Sequence, residues 1–64
     1  MKVRYNGESD PLSLINGKVY NVLAVEYGYY RIVDETGEDY LYDSDAFDVV
    51  ENGEIPVIDD DSLN

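Results

Sequence analysis

Cysteine and histidine are both absent from this chain. Without cysteine no disulfide can staple the core, and no thiolate can serve as nucleophile or metal ligand. Without histidine the side chain most often used as general base and as zinc ligand is missing. Tryptophan is absent too, which leaves seven tyrosines and one phenylalanine as the aromatic content. Positive charge is scarce: Lys2, Arg4, Lys18 and Arg31 stand against fifteen aspartates and glutamates, for a net charge of −11. Phosphates need neutralising cations, so direct binding to a nucleic-acid backbone is not expected. No apolar run approaches the roughly 20 residues of a membrane span. Met1–Gly7 contains no hydrophobic signal core. These features lead us to expect a soluble, cytosolic protein with no membrane partner.

What is present is strand-forming sequence cut by turns. Sixty-four residues make one domain. A domain of this size buries only about 60% of the surface its unfolded chain exposes, so modest stability is expected. Val3 and Tyr5 alternate with Lys2 and Arg4 as in a strand. Asn6–Pro11 is dense in turn formers, and Leu12, Leu14 and Ile15 are expected to bring the chain back to the core. Lys18–Glu26 is the longest strand candidate. Tyr20, Val22 and Ala24 fall on one face and Val19, Leu23 and Val25 on the other. Apolar residues on both faces point to a bent strand with a bulge, serving two packed sheets.

Two hairpins follow. Tyr27-Gly28 forms a tight turn, which pairs Glu26 with Tyr29, Val25 with Tyr30 and Leu23 with Ile32. Asp34–Glu38 closes the second, with Gly37 free to take φ > 0 as the last residue of a three-residue loop. Asp34 opposite Glu38 then sets Ile32 beside Tyr40 and Tyr30 beside Tyr42. Both turns place Tyr30 and Ile32 on one face with apolar partners; a one-residue slip at the second turn is the alternative and would bring Leu41 inward instead. Asp43 or Ser44 caps a single helical turn, with Phe47 folding back as a plug. Asp48–Glu51 is a last short strand, and Ile55–Ile58 adds an edge strand in which Pro56 is tolerated. The predicted fold is all-β: a small five-stranded SH3-like barrel with one short helical turn before the last core strand, spanning residues 1–58. Residues 59–64 form an acidic tail. An open five-stranded meander is the alternative.

The segments Lys18–Leu23, Tyr30–Asp34 and Gly37–Tyr42, with Phe47 ahead of Val49-Val50, carry a resemblance. They are similar to small uncharacterised SH3-like barrel proteins of low-GC Gram-positive bacteria and their phages. Those proteins pair a G-K-x-Y-x-V segment with a Y-R-I-x-D-x-x-G-E-D-Y-L-Y segment. The likeness covers roughly Gly17–Glu51. It departs where such proteins carry proline after the second tyrosine, a place held here by Asp43. The resemblance implies the fold and no activity, and no functional residue is carried over from it.

The residues offer no catalytic set. General acid–base work needs two carboxylates in different environments, whereas the pairs Asp34/Glu35, Glu38/Asp39 and Asp43/Asp45 lie at hairpin tips and turns. Ser9, Ser13, Ser44 and Ser62 have no histidine partner. Asp43-x-Asp45 begins like a calcium loop with Glu54 at its twelfth position, but Phe47 and Asp48 stand where an oxygen ligand and a glycine are needed. No catalytic residue, cofactor or metal site is expected. The tyrosines divide. Tyr20, Tyr30 and one of Tyr40 and Tyr42 are expected to pack, whereas Tyr27 and Tyr29 flank a hairpin tip that little can cover. Exposed tyrosines make good interface anchors. The expectation is a non-catalytic acidic module that presents Tyr27, Tyr29, Asp43 and Asp45 to an unidentified protein with a basic surface. The alternative is a nucleic-acid mimic that inhibits a DNA- or RNA-binding protein. A monomer is expected, with a homodimer through an edge strand as the other possibility.

Overall fold

The computed structural model describes residues 1–58, and the predicted tail at 59–64 lies outside the described residues. The chain is all-β. It runs through β1 (Lys2–Tyr5), β2 (Val19–Glu26), β3 (Tyr29–Val33), β4 (Asp39–Asp43), a 3₁₀ turn (Ser44–Ala46), β5 (Phe47–Glu51) and β6 (Val57–Ile58). Strands lie in the order β4-β3-β2-β1-β5, with β6 added parallel to the far end of β2. Among the described residues there are six strands: five as expected, and the added edge strand, shorter than the expected Ile55–Ile58, at Val57–Ile58 on the edge of β2 that β1 leaves free. Among the described residues no ladder joins β4 to β5, so hydrogen bonding does not close the sheet into the expected barrel. The 3₁₀ turn carries the chain from one outer strand to the other without pairing them.

β2 is the pivot. Its first residues pair with β1, Val3 opposite Tyr20, and its later residues pair with β3. The expected bulge is present, with one correction. Ala24 faces Arg31 and Val22 faces Ile32, so Leu23 is the extra residue and does not oppose Ile32. A bulge of this kind bends the strand. It turns Tyr20 and Val22 onto the core and brings Val25 against it, while Val19 and Leu23 stay exposed. The second face of β2 is thus largely open rather than packed on another sheet.

Both hairpin tips follow the residue types. Tyr27 (φ 54°) and Gly28 (φ 83°) take the left-handed conformation at both central positions, as a type I′ turn requires. Gly37 (φ 85°) ends the other loop, whose amide donates to Asp34 O while Asp34 N donates to Glu38 O. The register is the one expected: Ile32 opposite Tyr40 and Tyr30 opposite Tyr42.

The core is small. Val3, Leu14, Tyr20, Val22, Ile32 and Phe47 form it, with Tyr5, Tyr30 and Tyr42 packed at its margin. Phe47 is its plug, with ring centroids 5.4 Å from Tyr5, 5.8 Å from Tyr30 and 6.5 Å from Tyr42. Tilted and edge-on pairs of this type add stability beyond buried area. Leu12, by contrast, does not return to the core: the side chain is 74% exposed.

Candidate interaction surface

The tip of the β2–β3 hairpin and the end of β4 lie side by side. Tyr29 is paired directly with Asp43, and directly paired residues share a sheet face. Asp43 also caps the 3₁₀ turn, its Oδ1 accepting from the amide of Asp45 at 2.9 Å. Tyr29 and the two aspartates are thereby held in one place by the β3–β4 ladder and the cap. Tyr27 stands at the tip, 56% exposed, and Tyr29 is 46% exposed. The chain amide of Tyr27 donates to Ile58 O at 2.7 Å, so β6 fixes the base of the tip.

Behind this edge lies an ion-pair network. Arg31 donates to both oxygens of Glu26 and reaches Asp39 Oδ2 at 3.0 Å. The hydrogen bond from Arg31 holds the Glu26 carboxyl below its usual range. Glu26 and Asp39 are thus neutralised locally, whereas no lysine or arginine contacts Asp43 or Asp45 among the described residues.

A second group of polar residues surrounds the β3–β4 hairpin tip. Glu35 accepts from Lys18 Nζ at 2.7 Å and from Tyr20 hydroxyl at 2.6 Å, and the Lys18 ammonium lies 5.5 Å from the Tyr20 ring centroid. The bond from Lys18, with that from Tyr20, holds the Glu35 carboxyl down. Burial, reinforced by Glu35, pushes the Tyr20 phenol up to about 12. Asp34 accepts from the amide and hydroxyl of Thr36 and from the Tyr42 hydroxyl at 2.5 Å. These bonds, Thr36 first, hold Asp34 below its ordinary value. Burial and then Asp34 push the Tyr42 phenol up to about 12. Glu26, Asp34 and Glu35 are all displaced toward the ionised side, which suits electrostatic anchoring.

Two hollows flank this tip. One, about 360 Å³, is lined by Lys18, Val19, Leu23, Val33 and Glu35 among others. The other, about 490 Å³, is lined by Leu12, Ser13, Asp34, Thr36, Tyr40 and Tyr42. Among the described residues no three carboxylates gather in a group that would hold a metal ion, and no helix is long and apolar enough to cross a membrane.

Of the four residues singled out from sequence, Tyr29 and Asp43 are in direct register, Asp45 is bonded to Asp43, and Tyr27 occupies the adjoining tip. Sequence reasoning missed the second hollow. Asp34-x-Thr36-Gly37 does carry a signature for it, because an aspartate that bonds the residue two positions on forms an Asx turn. Leu12 gives no such signal.

No protein-family model matches this chain, and comparisons with curated proteins and with solved structures found no match.

Proposed function

We propose that this protein is a non-catalytic interaction module that engages a basic surface of a partner protein through Tyr27 and Tyr29, with Asp43 and Asp45 beside them. The observation that carries the reading is the conformation of Tyr27. A bulky residue in the left-handed region costs roughly 1–2 kcal/mol, and type I′ turns favour Asn or Gly there. Tyr27 nevertheless holds that position while 56% exposed, so packing within the chain does not account for it. Strained, exposed residues of this kind concentrate at functional sites. The adjacent carboxylates without cation partners and the net charge of −11 favour a basic partner.

The same reading takes the fold as SH3-like and opened along one side. Its support is the bent β2 shared by two ladders, and β1 pairing with both β2 and the strand that follows the 3₁₀ turn. A bacterial or phage cytosol is the setting this reading assigns, from the resemblance described above and the lack of cysteine. The nucleic-acid mimic draws less support. Asp39 and Asp43 share a strand face, but Leu41 separates them and Arg31 neutralises Asp39.

Affinity capture from host lysate tests the proposal. The wild-type chain should retain a basic protein that the Tyr27→Ala/Tyr29→Ala double variant loses, with both chains equally folded by circular dichroism. Retention of the same protein by the double variant would refute this surface. Capture solely of a nucleic-acid-binding protein, independent of both tyrosines and abolished by salt, would favour the mimic.

A further inference from the structure

We propose that the hollow between the loop at Asp10–Leu14 and strand β4 receives the cationic side chain, arginine or lysine, of a basic partner segment. The inference rests on the basic partner proposed above but concerns a different surface of the chain.

Leu12 and the tyrosine rings supply the apolar part of the hollow's wall. Leu12 is the most exposed large apolar side chain described, at 74%. Yet its loop is tightly tied. Asp10 N donates to Leu14 O at 2.7 Å, Ser13 N to Asp10 O at 2.8 Å, and Leu12 N to Asp10 Oδ1 at 3.0 Å. Glu35 N donates to Ser13 O at 2.8 Å and fastens this loop to the hairpin tip. Leu12 is therefore displayed on a fixed support. Tyr40 lines the same hollow and is 49% exposed, its hydroxyl bonded to Glu38 at 3.2 Å.

The lining also contains a carboxylate without a counter-charge. Asp34 is only 7% exposed, and every donor to its side chain is neutral: the amide and hydroxyl of Thr36 and the phenol of Tyr42. Among the described residues the salt bridges lie elsewhere, Lys2 with Glu51, Lys18 with Glu35, and Arg31 with Glu26 and Asp39. A buried ionised carboxylate is costly unless a cation or a full set of hydrogen bonds compensates it. Hydrogen bonds from Thr36 and Tyr42 keep this carboxylate ionised here, and an entering cation would supply the opposite charge that none of those neutral donors carries. A long basic side chain matches the whole hollow. Its methylene stem covers Leu12, its charge lies over a tyrosine face, and its donors reach toward Asp34. A second copy of the chain does not fit, because each copy carries a charge of −11 and only four cations, three of them already paired.

The test uses the full chain, isotope-labelled, titrated at low salt with acetyl-Gly-Arg-Gly-amide. Acetyl-Gly-citrulline-Gly-amide, of the same shape without the charge, is the control. The expected result is a set of amide shifts at Leu12, Ser13, Thr36 and Tyr40, with the citrulline probe roughly tenfold weaker, equivalent to about 1.4 kcal/mol. Leu12→Ser and Tyr40→Ala, both at exposed positions, should weaken the arginine probe several-fold, and Tyr40→Phe should keep it. Equal binding of the two probes, or no shifts around the hollow, would overturn the inference. Shifts confined to Tyr27 and Tyr29 would overturn it as well while supporting the surface proposed above. Shifts at the hollow together with a partner indifferent to Tyr27 and Tyr29 would support the inference against that surface.

Discussion

Tyr29 stands directly across the β3–β4 ladder from Asp43, whose carboxylate is itself bonded to the amide of Asp45. The two side chains thus spring from backbone positions fixed by strand pairing, and the cap holds the carboxylate further. Rigid anchors of this sort lose little conformational entropy when a partner is bound.

The left-handed tip offers a direct separation of stability from function. Tyr27→Asn places a residue suited to φ 54° at that position. The variant should gain about 1 kcal/mol in stability, by relief of the backbone strain. It should also lose partner capture. Urea denaturation of the two chains, beside the capture experiment, checks both halves. A destabilised variant would mean that the tyrosine ring makes a stabilising contact after all.

Gly37 behaves differently from Tyr27. A Cβ built there meets no heavy atom within 4 Å, so only its φ of 85° opposes substitution. Gly37→Ala should therefore cost roughly 1–2 kcal/mol with no change in the denaturant slope. A neutral effect would show that the loop relaxes to another turn.

Acid should act in two opposite stages. Between about pH 7 and 5 the first protons relieve the self-repulsion of a chain at −11, and stability should rise, as it should with added salt. The paired carboxylates act later. The folded values of Glu26, Asp34 and Glu35 lie below their ordinary ones, through Arg31, Thr36 and Lys18 respectively. Their stabilisation is fully present above the unfolded values near pH 4 and is lost as pH falls through the folded ones. Melting temperatures across this range at low salt should pass through a maximum near pH 5. A steady decline from neutrality would mean that dispersed repulsion is negligible.

Alkali should reveal two late tyrosines. Tyr20 and Tyr42 are both pushed up to about 12, chiefly by burial. A raised folded value means stability present below the unfolded value near pH 10 and lost as pH climbs through the folded one. Ultraviolet titration should show Tyr20 and Tyr42 ionising only as the chain unfolds. Seven equivalent phenols in a chain still folded would contradict the burial of both.

Local chemistry made much of this legible. The turn at Tyr27-Gly28 and the loop ending in Gly37 need φ > 0 within a few residues, and the β3–β4 register followed from them. The plug at Phe47 and a capped turn before it were readable for the same reason, though the residues left the cap open between Asp43, which holds it, and Ser44. Longer-range demands defeated the reading. Leu23 is displaced from Ile32 because β2 must satisfy β1 and β3 in turn. Tyr40 and Tyr42 alternate onto one face, yet Phe47 covers only Tyr42. The burial of Asp34 depends on a loop more than twenty residues earlier docking through Ser13.

The two ladders of β1 bear on the order in which the protein is made. The meander β2–β3–β4 has its mutual partners once Asp43 has left the ribosome. Val3, fully buried beside Tyr20 and Val49, does not, because half of its neighbourhood is the last part of the core to be synthesised. Chains halted before Phe47 carry an open edge along β1 and lack the ring that gathers the tyrosines. Such nascent chains are the species most exposed to proteases and to pairing with one another.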